Sequence, residues 1–319
     1  KPILNIEKSP LIHPMSLAYI TRQPESYPHP QRQRFFEPSS YGGLLSVGQQ
    51  AFIGIGGYTL FALCVLGGVP LLAALPLVAL VGLLASVPIA LLALRLRGAY
   101  FAIGTWAIAE VLRLAVMSIP ALGGGSGSSL PLSVLRALSP SRDMRNAMIY
   151  EVSFVIAATC LVVSVLALRS RWGLALRALR DSEIGAESLG VHVRPIKFAL
   201  FCLAGMMTSL IGAVVVMQKL RVSPDAQFNV VDWTAFVIFM VVIGGFGTIE
   251  GPLLGVVLFI ILRELLSDLG TLYQIILGLV AIGMMLKAPD GIWGLVFAKN
   301  KRAIIPITRR VPADLNEGD

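Results

Sequence analysis

The pair with the clearest chemical potential is Glu110 and Arg113, three positions apart in the apolar stretch 99–119. Helical residues at that spacing are neighbours and form ion pairs. A charge inside a membrane span costs about 2.5–3.5 kcal/mol on insertion scales and commonly marks a pathway for substrate or ions. Arg113 stands roughly 9 Å from the end of the stretch at 1.5 Å per residue, so its guanidinium can snorkel to the interface. A structural ion pair is favoured over a pathway role. A second set is uncharged. Ser46, Gln49 and Gln50 sit among glycines 42, 43, 48, 54, 56 and 57. Glycine lets helices approach closely in lipid and permits unwinding beside a cavity. Two readings stay open: a half-helix lining a pathway, or a packing face with polar contacts. The candidate pathway set is Ser46, Gln49, Gln50, Thr105, Glu110, Gly245 and Thr248.

Two further segments could carry mechanism. In 171–190, Leu176, Leu179 and Ile184 share one helical face, Arg177, Arg180, Asp181 and Glu187 lie elsewhere, and Gly190 can end the helix. The expectation is one short amphipathic helix, docking a soluble partner or lying on the membrane surface. In 244–255, Gly247, Gly251 and Gly255 recur every four residues, a spacing that favours close packing. Pro252 suits a helix start. A discontinuous helix aimed at a substrate is one reading; a plain cytoplasmic turn is favoured. Both glycine-rich segments begin Gly-Gly and lead into a helix, a trace of an internal repeat.

The elements that must position these residues follow from composition. Of 319 residues, 56% are hydrophobic and 14% charged, against about 25% charged in ordinary soluble domains; the mean hydropathy is +0.79. No Asp, Glu, Lys or Arg occurs between Gly42 and Leu94. About 20 apolar helical residues cross a bilayer, so the chain reads as all-α, a polytopic transmembrane helical bundle with about 7–8 hydrophobic segments. The expected spans are 43–66, 69–94, 99–119, 147–168, 196–217, two short halves within 232–266, and 272–287. Residues 120–146 are a Gly/Ser-rich external loop, 218–231 a polar loop and 169–195 a charged cytoplasmic loop. The domain reading is a Pro-rich polar tail (1–41), a transmembrane domain (42–296) and a basic cytoplasmic tail (297–319). Arg263, Glu264 and Asp268 fall near a span end and are expected at the interface.

The formal net charge is +8. Cytoplasmic loops carry excess Lys and Arg. Placing 95–98, 169–197 and 287–319 inside puts fourteen Lys/Arg there against five in the outer loops. Both termini are then cytoplasmic. No soluble domain remains to bind nucleic acid. Cys64, Cys160 and Cys202 are scattered in apolar runs without metal spacing. Neither a P-loop nor a hydrolase signature occurs. An enzyme is not expected, no metal site is expected, and no cofactor is expected in this chain. A passive channel or facilitator for a small polar solute such as urea is the alternative to a driven transporter.

Several segments, in order, resemble one known family. They are Gly42-Gly-Leu-Leu-Ser-Val-Gly-Gln-Gln-Ala-Phe-Ile-Gly-Ile-Gly-Gly-Tyr58, Arg95-Leu-Arg-Gly-Ala-Tyr-Phe-Ala-Ile103 and Ala175–Gly190. Val242-Ile-Gly-Gly-Phe-Gly-Thr-Ile-Glu-Gly-Pro252 and Ala288-Pro-Asp-Gly-Ile-Trp-Gly294 complete the set. Over about 42–296 the chain resembles the M-type permease subunits of branched-chain amino-acid ABC importers; urea ABC permeases share much of the pattern. The resemblance implies a bacterial inner-membrane, multi-pass subunit. Its implied partners are a second permease subunit, two cytoplasmic ABC ATPases carrying ATP-Mg, a periplasmic substrate-binding protein and membrane lipid. It further implies that 175–190 is the ATPase-coupling helix, with Arg177, Arg180, Glu183, Ala186, Glu187, Leu189 and Gly190 as its residues, and that 120–146 faces the binding protein. The family carries apolar helices ahead of the Gly-Gly-Leu-Leu-Ser segment. Here a proline-rich tail stands in that place, so the expectation is a truncated or misread N-terminus, or a variant that does not assemble normally.

Overall fold

The computed structural model describes residues 46–131, 133–134, 141–181, 183–188, 190, 192–245, 250–266, 269–270, 272–288 and 291–297. The tails 1–41 and 298–319 lie outside them, as do Leu189, Gly247, Thr248 and Asp268. The described helices are α1 (Gln49–Val65), α2 (Leu71–Ala93), α3 (Ala99–Met117), α4 (Arg142–Arg169), α5 (Arg171–Asp181), α6 (Glu183–Ser188) and α7 (Val193–Lys219). They continue with the single turn α8 (Pro224–Gln227), a π turn (Val231–Ala235), α9 (Phe236–Gly244), α10 (Glu250–Leu266), α11 (Leu272–Lys287) and α12 (Gly291–Phe297). Strands β1 (Ser128–Ser129) and β2 (Arg221–Val222) pair antiparallel.

Among the described residues, six helices are long and apolar enough to cross a membrane. Their outward sides are apolar: Leu84, Val111, Phe154 and Leu279 are all more than half exposed. Such surfaces are at home only in lipid or against another apolar surface. The chain is an all-α, multi-pass membrane protein. α1 is shorter, at 17 residues, or about 25 Å at 1.5 Å per residue.

α1 is nearly enclosed. It packs along α7, which also holds α2, so these three helices form the centre. Tyr58, Leu60, Phe61, Val216 and Met217 fill one part of their shared core, and Phe52, Ile89, Phe101 and Phe201 fill another. Backbone proximity makes this packing possible. A Cβ on Gly56 would run into the Ser209 carbonyl of α7, and one on Gly212 into the Ile53 carbonyl of α1. A separate core joins α9, α10 and α11 through Phe236, Phe239, Ile243, Phe259 and Leu277. Pro76 and Pro88 lie inside α2; membrane helices tolerate them where neighbours resolve the freed backbone groups.

The structure refines several of the expected boundaries. α4 begins at Arg142, not 147, because Ser141 caps it: the Met144 N–H donates to Ser141 Oγ at 3.2 Å, with Asp143 in the first turn. The 120–146 loop is partly ordered, with 3-10 turns at Pro120–Leu122 and Gly124–Ser126 followed by β1. The polar loop 218–231 is also built. α7 stops at Leu220 in the left-handed region (φ 56°), β2 follows, and Ser223 caps α8 with Pro224 at its first position. The first half of 232–266 is thereby the end of a longer apolar segment, Pro224–Gly244. Within 171–190 the described helical stretches are α5 and α6, on either side of Ser182, which lies outside the described residues. Leu176, Leu179 and Ala186 from both gather on Val193, so the apolar face turns onto the start of α7.

Candidate functional site

The charged pair forms as its spacing predicts. Arg113 Nε and Nη2 donate to Glu110 Oε1 at 3.0 and 2.6 Å. A third partner was missed: Arg113 Nη1 donates to Asp225 Oδ1 at 2.7 Å. Asp225 is on α8, 112 residues away, so no local pattern points to the pairing. The Ser-Pro-Asp run was a readable helix start. One guanidinium thus ties the end of α3 to the turn after α7. Asp225 is largely exposed, so the bond acts as a surface tie worth a fraction of a kcal/mol to about 1 kcal/mol. The same turn is held again by the Trp233 Nε1–H bond to the Ala226 carbonyl, 2.8 Å, and by Arg221 donating to the Ser126 carbonyl, 3.1 Å.

The uncharged set divides. Thr105 on α3 accepts from the Val47 N–H at 3.2 Å and donates to its own helix at the Ala102 carbonyl, 3.0 Å. It fastens the entry of α1. Ser46 accepts from the Gly48 N–H, and Gln49 is half-buried. Gln50 is 1% exposed and faces the π turn, where the Thr234 hydroxyl donates to Gln50 Oε1 at 2.6 Å. The Gln50 amide nitrogen has no partner. Farther along α1 lies Gln227 of α8, also 1% exposed, with neither Nε2 nor Oε1 partnered. Gly57 is the α1 residue it packs against, since a Cβ there would lie 2.9 Å from Gln227 Oε1. Tyr58 Oη is another buried orphan, its ring stacked on Phe228 at 6.3 Å. Each unpaired buried polar group costs about 1–3 kcal/mol. Thr234, Gln227 and Tyr58 escaped the sequence reading; only their distant packing on α1 marks them.

Gly245 is elsewhere, at a sharp corner (φ 112°) ending α9, where Gly291 of α12 lies against it. Gly244 faces the Gly251 carbonyl of α10 just as closely. Thr248 falls outside the described residues. On the charged loop, Arg177 is on α5, and Arg180 also; Glu183, Ala186 and Glu187 are on α6. Ala186 is buried in the small core there, while Glu187 and Gly190 (φ 81°) are exposed. Trp172 and Leu174 on α5 are exposed as well, at 52% and 69%.

Known proteins place this arrangement. Residues 39–287 match the family described as "Branched-chain amino acid transport system / permease component". The high-affinity branched-chain amino acid transport system permease protein LivM of Salmonella typhimurium is 30% identical over 272 residues, covering 78% of this chain and 64% of that protein. A probable LivM of Methanocaldococcus jannaschii is 26% identical over 62% of this chain and 56% of its own. The fructose import permease protein FrcC of Rhizobium meliloti is 31% identical over half of this chain and 41% of its own. The chain spans under two thirds of the length of the LivM proteins it matches. No solved structure matches it. The match runs from before α1 to the end of α11 and takes in both glycine-rich segments and the α5–α6 loop, so the chain belongs to the family of permease components of branched-chain amino acid transport systems.

Proposed function

We propose that the chain is a membrane-spanning permease subunit of an ATP-driven importer for branched-chain amino acids in a bacterial plasma membrane. The family match over 39–287 carries this reading. A second permease subunit completes the pore, two cytoplasmic ATPases bind ATP-Mg, and a periplasmic binding protein delivers the amino acid. The positive-inside count puts α5 and α6 in the cytoplasm, and the Arg113–Asp225 tie outside. Two structural features support docking at α5–α6. Their inner face is fixed on α7 by Leu176, Leu179, Ala186 and Val193, so a push is passed to a helix that runs to the centre. Their outer face leaves Trp172, Leu174 and Glu187 uncovered.

The test is extraction of the tagged chain in mild detergent with whatever accompanies it, followed by leucine uptake with and without ATP. Co-purification of an ATPase and a second permease, with ATP-dependent uptake, is the expected result. A well-folded chain that travels alone and equilibrates solute without ATP would make it a facilitator. Gly190→Pro and Glu187→Arg are each expected to lower uptake at least tenfold at unchanged membrane levels. Unchanged uptake in both would remove the coupling role of α6.

A further inference from the structure

The interface between α1 and residues 224–235 holds polar groups that this chain does not satisfy. Gln50 spends its carbonyl oxygen on Thr234 and keeps both amide hydrogens unpaired. Gln227 spends nothing: its whole carboxamide is buried and unpaired. Gln50 and Gly57, which Gln227 faces, are seven residues apart, about 10 Å along α1. Between them Phe228 lies on Gly54, where a Cβ would strike its ring. Among the described residues, the buried polar side chains are Gln50, Ser86, Thr105, Ser209, Gln227 and Thr234, none of them charged.

We infer that this seam is a solute-contact site, in which Gln50, Thr234 and Gln227 hydrogen-bond an α-amino acid zwitterion in transit and Phe228 separates the two polar positions. The identity of the solute rests on the importer reading above. The chemistry of the site fits it. A carboxamide offers N–H donors and a carbonyl acceptor together, so the two positions are met in turn as the solute passes: the Gln227 carboxamide can meet both its ammonium and its carboxylate, and the Gln50 amide its carboxylate. A lone anion or cation would enter without a counter-charge, a costly burial; a zwitterion brings its own. Val231–Ala235 is a π turn, with the Phe236 N–H bonded to the Val231 carbonyl. Such turns recur at functional sites, and Thr234 lies within this one.

The decisive variant is Gln227→Met, which keeps length and volume and loses no internal hydrogen bond. Gln50→Met and Gln227→Asn accompany it. ATP-driven transport of radiolabelled leucine is measured in proteoliposomes containing the complex with its partner subunits, alongside the thermal midpoint. The expected result is a loss of at least tenfold in Gln227→Met and Gln50→Met, no drop in midpoint for Gln227→Met, and partial recovery in Gln227→Asn. Transport within twofold of wild type in both Met variants overturns the site. So does a loss that tracks a lowered midpoint in Gln227→Met, which would mark a structural side chain. A wild-type complex that moves no leucine with ATP overturns the importer reading instead, and with it the solute assigned here.

Discussion

Helices α1 and α10 each follow a segment with a Gly-Gly pair, yet their glycines meet different things. On α1, Gly56 meets the α7 backbone, Gly54 an aromatic ring and Gly57 a carboxamide. On α10, Gly255 meets the Met240 carbonyl of α9, and Gly251 is met by Gly244 of the same helix. One helix uses its glycines to admit several neighbours from distant parts of the chain. The other uses them to close a hairpin on itself. Their remaining faces differ accordingly. α1 is buried nearly all round, whereas Leu253, Val257, Ile260 and Leu265 of α10 are exposed. A glycine pattern in a membrane helix therefore announces close approach, and what approaches decides whether the contact carries chemistry or only shape.

Gly56→Leu should have the largest effect. It drives a side chain into the α7 backbone with no lipid side toward which α1 can retreat, so a loss of about 3 kcal/mol, the top of the usual overpacking range, is expected in thermal unfolding of the detergent-solubilised protein. Gly255→Leu should cost about 1–2 kcal/mol, lower in the same range, because α10 can shift outward into lipid. Equal losses would break the comparison. Next comes the tie that braces α8 over α1. A double-mutant cycle on Arg113→Gln and Asp225→Asn should return a coupling of about 0.2–1 kcal/mol that shrinks at high salt. A coupling insensitive to salt would mean a drier contact than Asp225's exposure indicates. The smallest effect has the opposite sign. Gly278 on α11 faces open space, with nothing within 4 Å of the position a methyl group would take, so Gly278→Ala should stabilise by roughly 0.5–1 kcal/mol. Destabilisation would show that α11 glycines too are held by contact.

The sequence carried the spans well, because each is a long apolar run whose ends are set by charge or by glycine. It carried the Glu110–Arg113 bond for the same local reason. It did not carry Asp225, Thr234 or Gln227, whose partners are brought together by the packing of α1, α3 and α7. Gln50 could be singled out by type, since an uncharged polar group amid glycines is unusual at that depth; its partner lies 184 residues on. The start of α4 was misplaced because Arg142, Asp143 and Arg145 resemble loop residues until Ser141 is seen as a cap. The apolar spacing of α5 and α6 was legible for a local reason: Leu176, Leu179 and Ala186 are all buried against the start of α7.

The π turn has an angular consequence. An α-helix rotates each residue by about 100°, and a wider turn advances each residue by less. Residues on either side of Val231–Ala235 are therefore out of phase with one continuous helix. That offset sets the direction in which Phe236 and Phe239 address Phe259 of α10, at 5.1 and 5.7 Å between rings, while Phe228, at the bend before the turn, lies on α1. The five residues work as a gear between two cores. Deleting one of them would leave composition and hydropathy almost untouched and would swing one set of aromatic rings away from its partner.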